Sequence, residues 1–120
     1  LKMEMVKEKT VTQKDLASAL KSGNADVLST PTVLAWMEET ASEFAQTFLS
    51  NDEITVGAHV TLDHIAPAWP GEKVKVIANL IEKSNRKFSF HIEMKSGEKL
   101  IAKADHIRVA VKREAFKHEN

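Results

Sequence analysis

From Pro31 to Leu49 the chain runs without a glycine or a second proline. Thr30 precedes Pro31, and proline is favoured in the first turn of a helix. On a wheel of about 100° per residue, Val33, Leu34, Met37, Ala41, Phe44, Ala45, Phe48 and Leu49 fall in one continuous arc, with Glu39, Glu43 and Gln46 opposite. The pattern predicts one long amphipathic helix whose apolar face must be covered. The residues that follow change period. Ile54, Val56, Ala58, Val60, Leu62 and His64 share one parity, as do Val74, Val76, Ala78 and Leu80, and then Phe88, Phe90, Ile92 and Met94. Alternation of this kind predicts strands with one buried face. Pro67, Pro70 and Gly71, then Ser84-Asn85, then Ser96-Gly97 mark the turns between them.

The last run, Lys99 to Val111, is apolar at Leu100, Ala102 and Ala104 and then at Ile107, Val109 and Val111. That shift of parity predicts a β-bulge near Asp105. Upstream, Met3 to Val11 alternates loosely and reads as a first strand. Gln13 to Leu20 reads as a short helix with Thr12 as N-cap and Leu16, Ala19 and Leu20 as its apolar side. Lys21-Ser22-Gly23-Asn24 is a turn. The order is strand, short helix, long helix and four strands, an α+β arrangement of one helix on an antiparallel sheet. The four-strand meander is too short to close on itself. Its edges are expected to be covered or paired with another copy.

At 120 residues the chain fits a single domain, 1–120. It has no cysteine, which excludes a disulfide scaffold, a thiol nucleophile and Cys-ligated metal. Lysine plus arginine and aspartate plus glutamate each number 17, a balance that argues against a nucleic-acid partner. No apolar run reaches the roughly 18 residues of a membrane span. Leu1-Lys2-Met3-Glu4-Met5 has no apolar signal core, so a cytoplasmic setting and no membrane partner are expected. His59, His64, His91, His106 and His118 show no H-x-x-x-H pair, and there is no G-x-S-x-G or phosphate-binding glycine loop. No metal site is expected.

Four residues ask for a reason. Glu38 falls inside the apolar arc of the long helix, where a carboxylate is costly unless paired or neutralised. It is either a rim residue reaching solvent or a partly desolvated acid/base group with a raised pKa. His64 closes a strand on its core-facing parity. It is either a hydrogen-bonded core histidine or, with Glu38, half of an acid/base unit across the helix–sheet interface. Thr30 reads as the helix N-cap, with a hydroxyl that could also orient a carboxylate or a water. Gly57 interrupts a β-branched strand, either as a bulge or as a point of close backbone approach whose N–H could hold a carbonyl or oxyanion. His59, on the other parity, reads as a surface residue. Arg108, in His106-Ile107-Arg108, either meets a ligand phosphate or pairs with a carboxylate.

Three stretches carry a resemblance. Ser29-Thr30-Pro31-Thr32-Val33-Leu34-Ala35-Trp36-Met37-Glu38, Thr55-Val56-Gly57-Ala58-His59-Val60-Thr61-Leu62-Asp63-His64 and Ala66-Pro67-Ala68-Trp69-Pro70-Gly71 resemble the fluoroacetyl-CoA thioesterase-like family of hotdog-fold proteins. In that fold an antiparallel sheet wraps one long central helix. The resemblance implies acyl-CoA thioester hydrolysis with a threonine, a glutamate and a histidine, matched here by Thr30, Glu38 and His64. It also implies a glycine lending backbone to the site, matched by Gly57, and a homodimer or dimer of dimers with active sites at the subunit interface. Coenzyme A would enter as part of the substrate, with no other cofactor. Lys21 to Ser29 contains none of the bulky aromatic lid residues of the fluoroacetyl-specific member. A short or medium acyl-CoA is the expected substrate. Two alternatives are a hotdog enoyl-thioester hydratase or dehydratase, suggested by Asp63-His64 and the proline-rich turn, and a non-catalytic acyl-CoA-binding dimer.

Overall fold

The computed structural model describes residues 3–118. The strands are β1 (Glu4–Thr10), β2 (Glu53–His64), β3 (Lys73–Ser84), β4 (Lys87–Ser96) and β5 (Lys99–Lys112). The helices are one-turn α1 (Ala17–Leu20) and long α2 (Thr30–Gln46), with short 3-10 turns at Gln13–Asp15 and Arg113–Phe116. All five strands join one antiparallel sheet in the order β1-β3-β4-β5-β2. Strands β1 and β2 are its edges.

The alternation read from the sequence decides which sheet face meets α2. Val74, Val76, Ala78 and Leu80 of β3 are buried, as are Phe88, Phe90, Ile92 and Met94 of β4 and Ala102, Ala104 and Ala110 of β5. Facing them from α2 are Val33, Met37, Ala41, Phe44 and Ala45. Phe44 lies 5.9 Å from Phe90 and from Phe48, and Phe48 lies 6.1 Å from Phe88, ring centre to ring centre. Each such side chain contributes about 1.5–3 kcal/mol by leaving water.

Several expectations are corrected. Helix α2 is capped by Ser29, whose hydroxyl accepts from the Thr32 N–H at 3.2 Å, and not by Thr30. Thr30 is already helical, so its hydroxyl is not needed for the cap. The helix ends at Gln46, and Thr47, Phe48 and Leu49 follow in a tightened turn bonded to Phe44, Ala45 and Gln46. The expected short helix divides at Leu16: Thr12 donates through N–H and Oγ1 to Asp15, and only Leu16 of the predicted apolar side is buried, Ala19 and Leu20 being exposed. No bulge lies at Asp105, which pairs regularly with Thr61 and His91. Register shifts instead between Gly57 and His59 of β2, and at Ile101 of β5, where Met94 and Lys95 of β4 face Ala102 and Leu100. From Ala102 onward β5 keeps one parity. His106 and Arg108 occupy interior positions, and Ile107, Val109 and Val111 point half-exposed to the outer face. Apolar content predicts Ile107, Val109 and Val111 for the interior, whereas His106 and Arg108 fill it beside Ala104 and Ala110.

Candidate active site

Two clusters lie at opposite ends of β2, both on the face that carries α2. The first is built where the start of α2 meets the end of β2. Because Ser29 serves as cap, Thr30 is free to turn its hydroxyl to His64, with Oγ1 2.8 Å from Nδ1. His64 lies on the inner face, paired with Ala102, and is half-buried. Desolvation lowers its pKa from the usual histidine value, opposed by a backbone hydrogen bond with Ala66. A neutral imidazole beside a hydroxyl can pass protons. A cavity of about 290 Å³ opens beside this pair, lined by Ala17, Ser22, Val27 and Leu28 on one wall and Ile65, Ala66 and Pro67 on the other. Its walls are held by the backbone: Leu28 N–H donates to Ala68 O, Ser29 N–H to Asp15 O and Ala17 N–H to Val27 O.

The second cluster gathers Glu38, Gly57 and Arg108. Glu38 lies on the rim of α2, its side chain 44% exposed, with Oε2 3.6 Å from Arg108 Nη1. It is thus a paired rim carboxylate and not a core one; the wheel placed it too deep. Gly57 faces the Glu38 side chain from β2. A Cβ there would stand 2.9 Å from Glu38 Oε2 and 3.5 Å from Arg108 Nη1. The bulge reading of Gly57 holds, since the register shifts beside it, and the side chain next to it is this carboxylate. Arg108 is buried and held on three sides. Nε donates to Thr55 Oγ1 at 2.8 Å, Nη2 to Thr55 O at 3.0 Å, and Nη1 lies 3.1 Å from His106 Nε2. Burial lowers the Arg108 pKa and Glu38 opposes it. The guanidinium is therefore a fixed positive charge aimed at the Glu38 rim.

The sequence-predicted residues are brought together in two pairs and not as one set. Thr30 meets His64, and Glu38 meets Gly57 and Arg108. Among the described residues no hydrogen bond or ion pair joins Glu38 to Thr30 or His64. Gly57 and His64 are seven residues apart on β2, about 20 Å at the rise of a strand. His59 is exposed as expected. His106 and Thr55 were not singled out from the sequence; extending the parity of Ala102 and Ala104 along β5 would have found His106. Among the described residues no cluster of three or more His, Asp or Glu is placed to hold a metal ion, and no helix is long and apolar enough to cross a membrane.

Residues 11–114 match the protein family described as FlK, fluoroacetyl-CoA-specific thioesterase. No curated protein matches the sequence. Among solved structures the chain is similar to a mutant of the fluoroacetyl-CoA-specific thioesterase FlK in complex with fluoroacetate and CoA. That likeness has a TM-score of 0.88 at 21% identity over 95% of this chain and 96% of that one. It is similar to a thioesterase superfamily member from Thermus thermophilus, at TM-score 0.85 and 24% identity over 93% and 83% of the two chains. It is also similar to a hot-dog-like protein from Thermanaerovibrio acidaminovorans, at TM-score 0.83 and 18% identity over 97% and 92%. The α+β architecture is the hotdog fold.

Proposed function

The chain belongs to the fluoroacetyl-CoA-specific thioesterase family, a family of thioester hydrolases, and from that premise we propose that it cleaves short or medium acyl-CoA thioesters to free acid and coenzyme A. The single observation that carries the reading is the division of the polar groups. One end of β2 offers a hydroxyl–imidazole pair beside a cavity, and the other offers a carboxylate held by a buried arginine. Each is half of what thioester hydrolysis needs.

The halves meet if two copies pair through β2. That edge is open to pairing: from Ile54 to Leu62 it carries no Asp, Glu, Lys or Arg. The opposite edge, β1, is guarded. Its Lys7 and Lys9 pair with Glu43 and Glu39 of α2 at 2.5 and 2.7 Å. Antiparallel pairing of two β2 strands about Thr61, with Ala58 taken up by the bulge, would set Gly57 opposite the partner's His64. Gly57 and His64 lie on the same face of the sheet, through pairing with Arg108 and Ala102. Each homodimer would then hold two composite sites, in keeping with isologous two-fold symmetry. A dimer of dimers is compatible with the same pairing.

In such a site Glu38 activates the attacking oxygen, either by taking a proton from water or by attacking the carbonyl itself. The C–O bond forms, the C–S bond breaks, and the thiolate of coenzyme A takes up a proton. His64, steadied by Thr30, carries that proton. The Gly57 N–H holds the substrate carbonyl, and Arg108 sets the charge and position of Glu38. The reaction needs no metal or redox group, since coenzyme A arrives within the substrate, and a cytoplasmic setting suits it. The 290 Å³ cavity beside Thr30 lies at the small end of ligand pockets, about 300–1,000 Å³, which favours a short or medium acyl chain. The absence of aromatic residues from Lys21 to Ser29 supports a substrate broader than fluoroacetyl.

A panel of acyl-CoAs read by free-thiol release tests the reading, with Glu38→Gln and His64→Ala as controls. Thiol release well above both controls is expected. Equal rates in all three proteins, or hydration of a crotonyl thioester without thiol release, would contradict it. Single turnover in heavy-oxygen water separates the two roles of Glu38: direct attack puts enzyme oxygen into the first product.

A further inference from the structure

One buried titratable group takes no part in the reaction described. His106 is 3% exposed. It sits on the inner face of β5, between Val60 of β2 and Phe90 of β4. Its Nδ1 lies 2.8 Å from the backbone oxygen of His59. A carbonyl oxygen only accepts, so Nδ1 carries the hydrogen. In a neutral ring Nε2 is then an acceptor, and it lies 3.1 Å from Arg108 Nη1, which only donates. One tautomer satisfies both contacts at once. Protonation would aim a second N–H at a guanidinium.

The two partners of His106 are the two supports of the Glu38 cluster. His59 is the residue at which β2 regains register after the bulge that adjoins Gly57. Arg108 Nη1 lies 3.6 Å from Glu38 Oε2 across that cluster. We infer that His106 is a positioning residue for the thioesterase reaction, a neutral Nδ1–H imidazole that ties the β2 bulge to Arg108 and so sets where the Glu38 carboxylate stands. The inference rests on the reading of Glu38 given above. The charged or titratable groups facing the ring are Arg108 from its own strand, Glu38 from α2 and His59 from β2; β4 presents only Phe90. Burial, with Arg108 adding to it, depresses the His106 pKa and so favours the neutral ring.

The two ring nitrogens can be replaced one at a time. In His106→Gln the side-chain oxygen reaches the place of Nε2 and still accepts from Arg108. In His106→Asn the amide nitrogen reaches the place of Nδ1 and still donates to His59. Both variants and His106→Phe would be purified, their melting temperatures measured, and kcat and KM determined with the acyl-CoA that the wild-type protein cleaves fastest.

The expected result is a loss of kcat of about ten- to a hundredfold in His106→Phe and His106→Asn, the scale set by slight misplacement of a reacting group. KM should stay within about threefold, as for an interaction made only in the transition state. His106→Gln should recover most of kcat, even where its melting temperature is lower than that of His106→Asn. Wild-type kcat in folded His106→Phe or His106→Asn would overturn the inference. So would kcat falling in step with melting temperature across Gln and Asn alike. Glu38→Gln, run alongside, separates the two levels. Wild-type turnover in Glu38→Gln removes the role of Glu38 and this inference with it. An inactive Glu38→Gln beside a fully active His106→Asn removes the role of His106 alone.

Discussion

Thr30 Oγ1 stands 2.8 Å from His64 Nδ1, and no residue between them in sequence shares that bond. The contact joins the first turn of α2 to the last residue of β2. It exists because the neighbouring serine takes over the work of capping. Ser29 accepts from the Thr32 N–H, and its own hydroxyl donates to Thr32 Oγ1 at 2.7 Å. Two adjacent hydroxyls thus do different things: one caps the helix and one meets His64.

This division can be measured. Ser29→Ala should cost about 1 kcal/mol of stability, the usual worth of an N-cap, with the chemistry at Thr30 still in place. Thr30→Val should change stability less and lower kcat by about ten- to a hundredfold, the low range for a lost proton-handling group. Thr30→Ser, which keeps the hydroxyl, should stay close to wild type. Urea unfolding and thiol-release kinetics on the three variants check it. A Thr30→Val protein with wild-type kcat contradicts the assignment.

The pH profile should report His64. Desolvation lowers its pKa, so the neutral ring persists below the ordinary histidine value of about 6.5. The acid limb of kcat/KM is expected with an apparent pKa below that value. The same depression acts on stability. The unfolded chain binds the proton more readily, so the contribution of His64 to stability is present above the unfolded pKa and is lost as pH falls from there through the lower folded pKa. A limb at or above 6.5 in the pH–rate profile would show that the ring is not desolvated in the working enzyme.

Gly57→Ala separates folding from function. The added Cβ would meet Glu38 Oε2 at 2.9 Å, the free end of a flexible side chain, and His106 Cε1 at 3.4 Å. The carboxylate can swing aside at small cost, so stability should change by less than about 1 kcal/mol. The displaced carboxylate no longer stands beside the edge of β2, and kcat should fall about a hundredfold. Loss of stability without loss of turnover would mean that the space matters for packing alone.

On the outer face of the sheet, His91 lies 3.0 Å from Asp105 and 3.3 Å from Glu93. Asp105, then the other contacts, raises its pKa against an opposing desolvation. A raised folded pKa gives stability that is complete below the unfolded value of about 6.5 and is lost as pH rises through the folded value. Asp105 is largely exposed, so the effect should be under about 1 kcal/mol. His91→Gln is expected to lower stability near pH 5 and leave it unchanged near pH 9, by urea unfolding at the two values.

The long helix and the strands of the sheet were legible because burial writes a period into them. Val33, Met37 and Phe44 recur at helical spacing, and Val74 to Leu80 and Phe88 to Met94 alternate. What failed were places where the interior is polar or crowded. His106 and Arg108 hold interior positions on β5 by pairing with each other, with Thr55 and with the His59 carbonyl. Apolar content therefore pointed to the wrong face and to a bulge at Asp105. The bulge beside Gly57 left no such mark, since Ile54 to Leu62 keeps one apolar parity across it. Thr30, Glu38, His64, Gly57 and Arg108 were all legible as candidates. Their partition into two clusters was not, because spacing along a chain carries no information about a strand running about 20 Å between them.

In the proposed dimer Glu38 of one copy works with the partner's His64. Glu38→Gln and His64→Ala, each inactive alone, can be co-expressed so that mixed dimers form. In a mixed dimer one site receives both substitutions and the other receives neither. With random pairing, about a quarter of wild-type turnover should return, since half of the dimers hold one intact site of two. Recovery of that size in the mixture, with none in either variant alone, is the predicted result. A mixed preparation with confirmed heterodimers and no thiol release would contradict the shared site.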